Sequence, residues 1–392
     1  MNRRDVQTQV ERALARVLFS LPPTVQRALA GGRPVVVDGR TLHPEIQLLV
    51  AVRALLGGKG ITDGPHDSAR RRYRRECTAH QGPPVPIGAV TDSTIEGPAG
   101  PLRVRHYAPM SASSASSPSS AASPRPLLVF LHGGGFVVGD LDTHDVVCRL
   151  LCRHADVHVL AVDYRLAPEA PFPAAVEDAL AAFRWARSHA SSLGADPARI
   201  AVAGDSAGGQ LAAVVCQELA RSGEAQPAAQ LVLYPALCRR RERPSLTLFA
   251  RGFMLTRADI DAFQHHYTGH TNDADIRQRP LDGLRELIAT SALDAGKALL
   301  PLAPAVVVTA GFDPLRDEGD EYAALLAEAG GRVTHRCVDD SVHGFANLVG
   351  VSSVSRRVVV DVAGDVKAIL AHAHDVSASP PLVRRSTEAR TS

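Results

Sequence analysis

Hydrophobic positions along this chain change period several times, and each change marks a new kind of element. Near the start Val10, Leu14, Val17 and Leu18 fall on one helical stripe, and Pro44 opens a second candidate helix through Ile46, Leu49, Val50, Val52 and Leu55. From about Val85 the period shortens: Leu102-Arg103-Val104-Arg105-His106-Tyr107 alternates apolar and polar, as a half-buried edge strand would. Candidate strands follow at Leu127 to Leu131, Val157 to Val162, Arg199 to Ala203, Gln230 to Tyr234, Ala305 to Ala310 and Arg332 to Val338, several of them nearly continuous apolar runs. Runs of Val, Leu, Ile and Ala without alternation predict strands covered on both faces. Amphipathic stretches separate them, at Thr143 to Arg153, Pro173 to His189, Ala207 to Arg221 and Glu318 to Ala329. The alternation predicts an α/β fold with a mostly parallel central sheet flanked by helices.

Breaks in the pattern divide the chain. Residues 111–126 are almost entirely Ser, Ala and Pro, which reads as a flexible surface loop because strands resume at once. The interval from Arg239 to Leu302 is too long for a simple crossover and carries helix-like pieces at Ala258 to Tyr267 and Leu281 to Ile288. It is expected to pack with the N-terminal helices as a cap over the sheet. The resulting division is 1–84 (N-terminal cap segment), 85–238 (first part of the core), 239–302 (inserted cap segment), 303–376 (second part of the core) and 377–392 (Ser/Pro/Arg-rich tail, expected to be disordered).

Composition removes several function classes. With 45% hydrophobic and 21% charged residues the chain has an ordinary globular balance, and a net charge of +2 steers it towards neither nucleic acid nor anionic membrane. The run Arg70-Arg71-Arg72-Tyr73-Arg74-Arg75 reads as a solvated helical face. Six scattered cysteines do not make a disulfide framework, and Cys148 and Cys152 read as buried thiols sharing a helix face. His265, His266 and His270 lack accompanying ligands and read as solvent-facing or pocket-lining. Arg239, Arg240 and Arg241 with Glu242 and Arg243 are expected at the surface. No apolar stretch reaches the length of a membrane span, and no secretory leader follows the early arginines, so a cytoplasmic protein is expected. A homodimer is left open.

Gly204-Asp205-Ser206-Ala207-Gly208 fits G-x-S-x-G. It lies between a strand and a helix-forming run, where a tight turn projects the serine outward. Alone the pattern also fits a glycine-rich turn with an incidental serine. His132-Gly133-Gly134-Gly135 follows another buried strand, and a glycine run can present successive N–H groups to a developing oxyanion without steric cost. The expected donors are Gly133, Gly134 and Ala207. The run lacks the spacing of a P-loop or a dinucleotide site. A serine nucleophile needs a base and an orienting acid. Asp313 and His343 each follow a strand in the required chain order, with Asp317, Asp339, Asp340 and His335 as competitors.

His132-Gly133-Gly134-Gly135-Phe136, Asp163-Tyr164-Arg165-Leu166-Ala167-Pro168-Glu169, Gly204-Asp205-Ser206-Ala207-Gly208-Gly209, Asp313-Pro314-Leu315-Arg316-Asp317-Glu318 and His343-Gly344-Phe345 occur in that order. By these five motifs the sequence resembles the hormone-sensitive-lipase family of bacterial esterases, within the α/β-hydrolase fold. The resemblance implies Ser206 as nucleophile, Asp313 as acid and His343 as base. It also implies a helical cap, no metal or organic cofactor, and carboxylic esters of short to medium acyl chain as substrates. Asp317 and Glu318 become supporting residues, and Asp163 to Glu169 a support for the catalytic loops. An amidase or lactonase is the nearest rival within the same chemistry. A receptor of this fold would be marked by a missing triad histidine, and His343 is present.

Overall fold

The structure, a computed structural model of the chain, describes residues 17–57, 60–110, 124–238, 242–269, 275–293 and 302–377. The Ser-rich loop (apart from its last residues), Val10, Leu14, Arg239 to Arg241, His270, the end of the cap insertion and the tail lie outside the described residues.

Among the described residues the main sheet has eight strands. A small hairpin, β1 (Val36–Val37) and β2 (Arg40–Thr41), precedes it. The sheet strands are β3 (Ala89–Gly97), β4 (Gly100–Ala108), β5 (Arg125–Leu131), β6 (His158–Val162), β7 (Ala195–Asp205), β8 (Gln230–Leu233), β9 (Ala305–Phe312) and β10 (Val333–Val342). Their spatial order is β10-β9-β8-β7-β5-β6-β4-β3. Every pairing from β10 across to β6 is parallel; β4 joins β6 antiparallel, and β3 joins β4 likewise. The expected edge strand at Leu102 to Tyr107 is therefore interior: β4 pairs on both sides, and β3 forms the edge. Its alternation reflects one well-covered face, which an interior antiparallel strand can also have.

All six candidate strands form, and in β5 and β7 neighbouring residues go to opposite cores. Leu127, Val129 and Leu131 of β5 face one core with Ile200 and Val202; Leu128 and Phe130 face the other with Ala201 and Ala203. Helices cover both faces. The helices are α1 (Pro23–Leu29), α2 (Pro44–Leu55), α3 (His66–His80), α4 (Asp145–Ala155), α5 (Ala174–His189), α6 (Ala207–Arg221), α7 (Pro244–Leu248), α8 (Arg257–Thr268), α9 (Pro280–Leu293), α10 (Arg316–Glu328) and α11 (Ser353–Ser377). Residues of α4 and α11 fill one core, including the buried thiols Cys148 and Cys152, while α5 and α6 fill the other. No helix among the described residues is long and apolar enough to cross a membrane.

Helix α3 departs from its expected solvated character. Arg71 and Arg75 are exposed, but Arg70 and Arg72 are half-buried, and Arg72 donates to the Gly60, Ile61 and Asp63 carbonyls. Arg74 reaches Asp140 at 2.6 Å. A guanidinium has five donors and finds carbonyls that an outward charge would leave to water.

Helix α6 lies so close to β5 that a Cβ at Gly208 would collide with the Leu131 carbonyl. Gly208→Ala is accordingly expected to cost about 1–3 kcal/mol, as overpacking does. It should appear as a lower urea midpoint at unchanged slope; an unchanged midpoint would mean that the helix can retreat freely.

Candidate active site

Strand β7 ends at Asp205 and α6 begins at Ala207, leaving one residue to turn the chain. That residue, Ser206, takes φ 53° and ψ −118°, a conformation that L-residues adopt only under constraint. The constraint is visible: Ser206 N–H donates to the Leu233 carbonyl at 2.8 Å, and its own carbonyl accepts from Gln210 at 3.0 Å. Gly204 faces the Gly208 backbone with no room for a Cβ, so both motif glycines are sterically required.

His343 and Asp313 arrive from the ends of β10 and β9. Ser206 Oγ stands 2.9 Å from His343 Nε2, and His343 Nδ1 stands 2.8 Å from Asp313 Oδ2. Asp313 is fully buried, and its second oxygen accepts the Leu315 N–H at 2.8 Å. Gly344 continues the chain at φ 75°, and the Tyr234 ring meets the imidazole edge-on at 4.9 Å. Three of the four competitors have their side chains engaged elsewhere. His335 pairs with Asp320 at 2.9 Å, Asp339 with Arg40 at 2.8 Å, and Asp317 accepts from the Ser245 N–H at 2.8 Å. The Asp340 carbonyl accepts from His43 N–H.

The glycine loop after β5 differs from expectation at its first residue. Gly133, expected as an oxyanion donor, gives its N–H to Asp205 Oδ1 at 2.7 Å. The cavity is lined instead by Gly134 and Gly135, at φ 124° and 59°, together with Ala207. Asp205 is buried one residue before the nucleophile, with His144 Nε2 at 3.1 Å and Tyr234 OH at 3.3 Å. Burial alone would raise its carboxyl; His144, the Gly133 N–H and His132 outweigh that and hold it below the usual carboxylate range. The sequence signal was the aspartate inside the motif, a charge directly after the uncharged stretch Ile200-Ala201-Val202-Ala203-Gly204. Only the fold shows that it takes the neighbouring loop's first donor.

Ser206 and His343 open into a cavity of about 110 Å³. The N-terminal segment lends Ile61 and Tyr73 to its wall, and the insertion lends Leu255, Ile260, Phe263, Gln264 and Tyr267. Phe136 stacks on Tyr267 with centroids 3.7 Å apart, and Phe172 meets the same ring edge-on at 5.8 Å. Of the histidines in the insertion, His265 is exposed, and His266 packs against His66 at 4.6 Å. Among the described residues no group of three or more His, Cys, Asp or Glu is placed to hold a metal. Glu318, expected only as a supporting residue, lies on the cavity wall. It is 4% exposed and accepts the Leu237 N–H at 2.5 Å. Burial pushes its carboxyl up to about 8, against the pull of the Leu237 N–H, Arg243 and the Cys238 N–H.

The family model described as alpha/beta hydrolase fold matches residues 128–347. "Carboxylic ester hydrolase LipN" of Mycobacterium tuberculosis is 46% identical over 353 residues, covering 88% of each chain. "Esterase LipI" of the same organism is 43% identical over 291 residues, covering 74% of this chain and 84% of its own. A solved ester hydrolase from the Lake Arreo metagenome, complexed with a derivative of bipyridine phosphonate, superposes with a TM-score of 0.74 at 39% identity. That match covers 83% of this chain and 98% of the other. The chain belongs to the α/β-hydrolase fold family, in its hormone-sensitive-lipase group.

Glu318 yields a prediction with a definite sign. Its folded pKa lies above the ordinary 4.5, so the folded state holds the proton more tightly and loses stability as pH rises from there through about 8. Glu318→Gln removes that loss. Urea denaturation at pH 5 and pH 8 should show the variant gaining on wild type at the higher pH, and a constant difference would place the carboxyl in water.

Proposed function

We propose that this carboxylic ester hydrolase works through Ser206, His343 and Asp313, on esters of short to medium acyl chain. The observation that carries the reading is the unbroken contact sequence from Ser206 Oγ to His343 to buried Asp313, at 2.9 and 2.8 Å, on the floor of a mostly apolar cavity. In the reaction His343 Nε2 takes the Ser206 proton as Oγ attacks the ester carbonyl. Asp313 accepts the Nδ1–H, fixes the tautomer and stabilises the imidazolium that forms. The carbonyl oxygen becomes an anion facing the N–H groups of Gly134, Gly135 and Ala207. Ala207 stands at a helix N-terminus, where N–H groups have no intrahelical acceptor. His343 returns its proton to the leaving alcohol, then activates the water that releases the acid from Ser206.

The two segments outside the sheet, residues 1–84 and 239–302, act as the cap that shapes the acyl and alcohol pockets. Their apolar side chains leave a small cavity, which supports compact acyl groups over long ones. No observation favours an amide or a lactone over a simple ester.

Hydrolysis of p-nitrophenyl esters from acetate to palmitate tests both parts. Activity should peak on short or medium chains, and Ser206→Ala should lose roughly three or more orders of magnitude in turnover. Folded wild type inert on every chain length, or an alanine variant of near-normal activity, would sink the reading.

A further inference from the structure

We propose that Arg70, on the N-terminal helix α3, is a positioning residue that holds the oxyanion loop in its working shape. This rests on the reading of Gly134 and Gly135 as transition-state donors. The core holds the base of that loop: Asp205 takes the Gly133 N–H, and Tyr164 OH donates to the His132 carbonyl at 2.6 Å. The outer turn is tied differently. The Gly134 carbonyl accepts from Val137 and Val138 N–H at 3.1 and 3.0 Å, so the Val137 peptide sets the orientation of Gly134. The Val137 carbonyl in turn accepts Arg70 Nε at 2.8 Å.

The same guanidinium reaches the loop's second support. Arg70 Nη2 donates to the Ala167 carbonyl at 2.9 Å, and Ala167 N–H donates to the Phe136 carbonyl at 2.8 Å. Glu169 holds the fork from its far side with two contacts, at 2.9 and 2.6 Å. One planar group thereby fixes two backbone stretches that flank the donors. An ammonium has neither the span nor the plane to do so. The other charges of the run do not share this task. Among the described residues Arg71 reaches Ser68 Oγ on its own helix, at 3.1 Å, and Arg74 pairs with Asp140 beyond the loop.

The test compares wild type, Arg70→Met, Arg70→Lys and Arg71→Met on p-nitrophenyl acetate. Titration of competent serines with a p-nitrophenyl phosphonate puts turnover on a per-site basis. Losing a whole oxyanion donor costs about 100–1,000-fold, and a loosened loop should cost less, so Arg70→Met is expected to lower kcat about 10–100-fold with KM within about threefold. Arg70→Lys, which keeps the charge and the apolar stem, should recover only part of the loss and still gives an answer if the Met variant fails to fold. Arg71→Met should match wild type. Undiminished kcat per titrated site in both Arg70 variants overturns the proposal. So does a rise in KM alone, because Tyr73 on the same helix lines the cavity and simple undocking would act there. An inactive wild type overturns the underlying esterase reading instead, since no variant comparison can then be made.

Discussion

The left-handed backbone of Ser206 is the constraint on which the rest of the site depends. A single residue turns the chain from β7 into α6, and it tolerates φ 53° only because its surroundings leave no alternative. The Leu233 carbonyl holds its N–H, the start of α6 takes its carbonyl, and glycines at 204 and 208 let strand and helix approach within contact distance. Strain of this kind costs of order 1–3 kcal/mol and persists where packing over-determines it. The packing here is two full hydrophobic cores, one on each face of the sheet. Sheet, helices and elbow are therefore one mechanical unit, whose product is a hydroxyl projecting from the sheet towards His343.

Beside that hydroxyl lies a second buried carboxylate. Asp205 is as buried as the core around it, and a lone carboxylate there would be strongly destabilising. It is tolerated because His144, the Gly133 N–H and Tyr234 OH surround it. Those partners belong to the oxyanion loop, to α4's approach and to the end of β8, so solvating one anion ties three separate segments to the elbow. The first glycine of the loop thus spends its N–H on Asp205, and the second and third line the cavity.

Much of this was legible in the chain. The apolar runs at Leu127, Val157, Gln230 and Ala305 became buried strands, because a parallel strand inside the sheet needs cover on both faces, whereas the mixed run at Arg332 became the half-exposed edge strand β10. The candidate residues Ser206, Asp313 and His343 stand in recognisable motifs, and geometry separates them from the alternatives: Asp317, Asp339 and His335 point to Ser245, Arg40 and Asp320, whereas Asp313 and His343 meet beside Ser206. Gly133 was misread because a glycine run announces available N–H groups without saying which of them another side chain will claim. Arg70 and Arg72 were misread for a related reason. Charge predicts a preference for water, whereas carbonyls in a turn can satisfy a guanidinium as well as water does. The edge strand at Leu102 to Tyr107 failed because alternation reports one covered face and says nothing about how many neighbours a strand has.

The cavity wall was the least legible part, and its physics differs from that of the core. Aromatic residues are only 4% of the chain, yet Tyr73, Phe136, Phe263 and Tyr267 line the cavity with Ser206 from three separate stretches of sequence. None of those positions stands out by period, because their partners are distant in the chain. Their packing also binds the two halves of the enzyme together. A Cβ on Gly135 would enter the ring of Phe263, so α8 rests directly on the glycine loop after β5. Phe136, the next residue, stacks on Tyr267 from the same helix. Two walls of the cavity, the loop after β5 and α8, thus share a contact. A change in the cap at Phe263 or Tyr267 should act on turnover as well as on acyl preference, because it moves both at once.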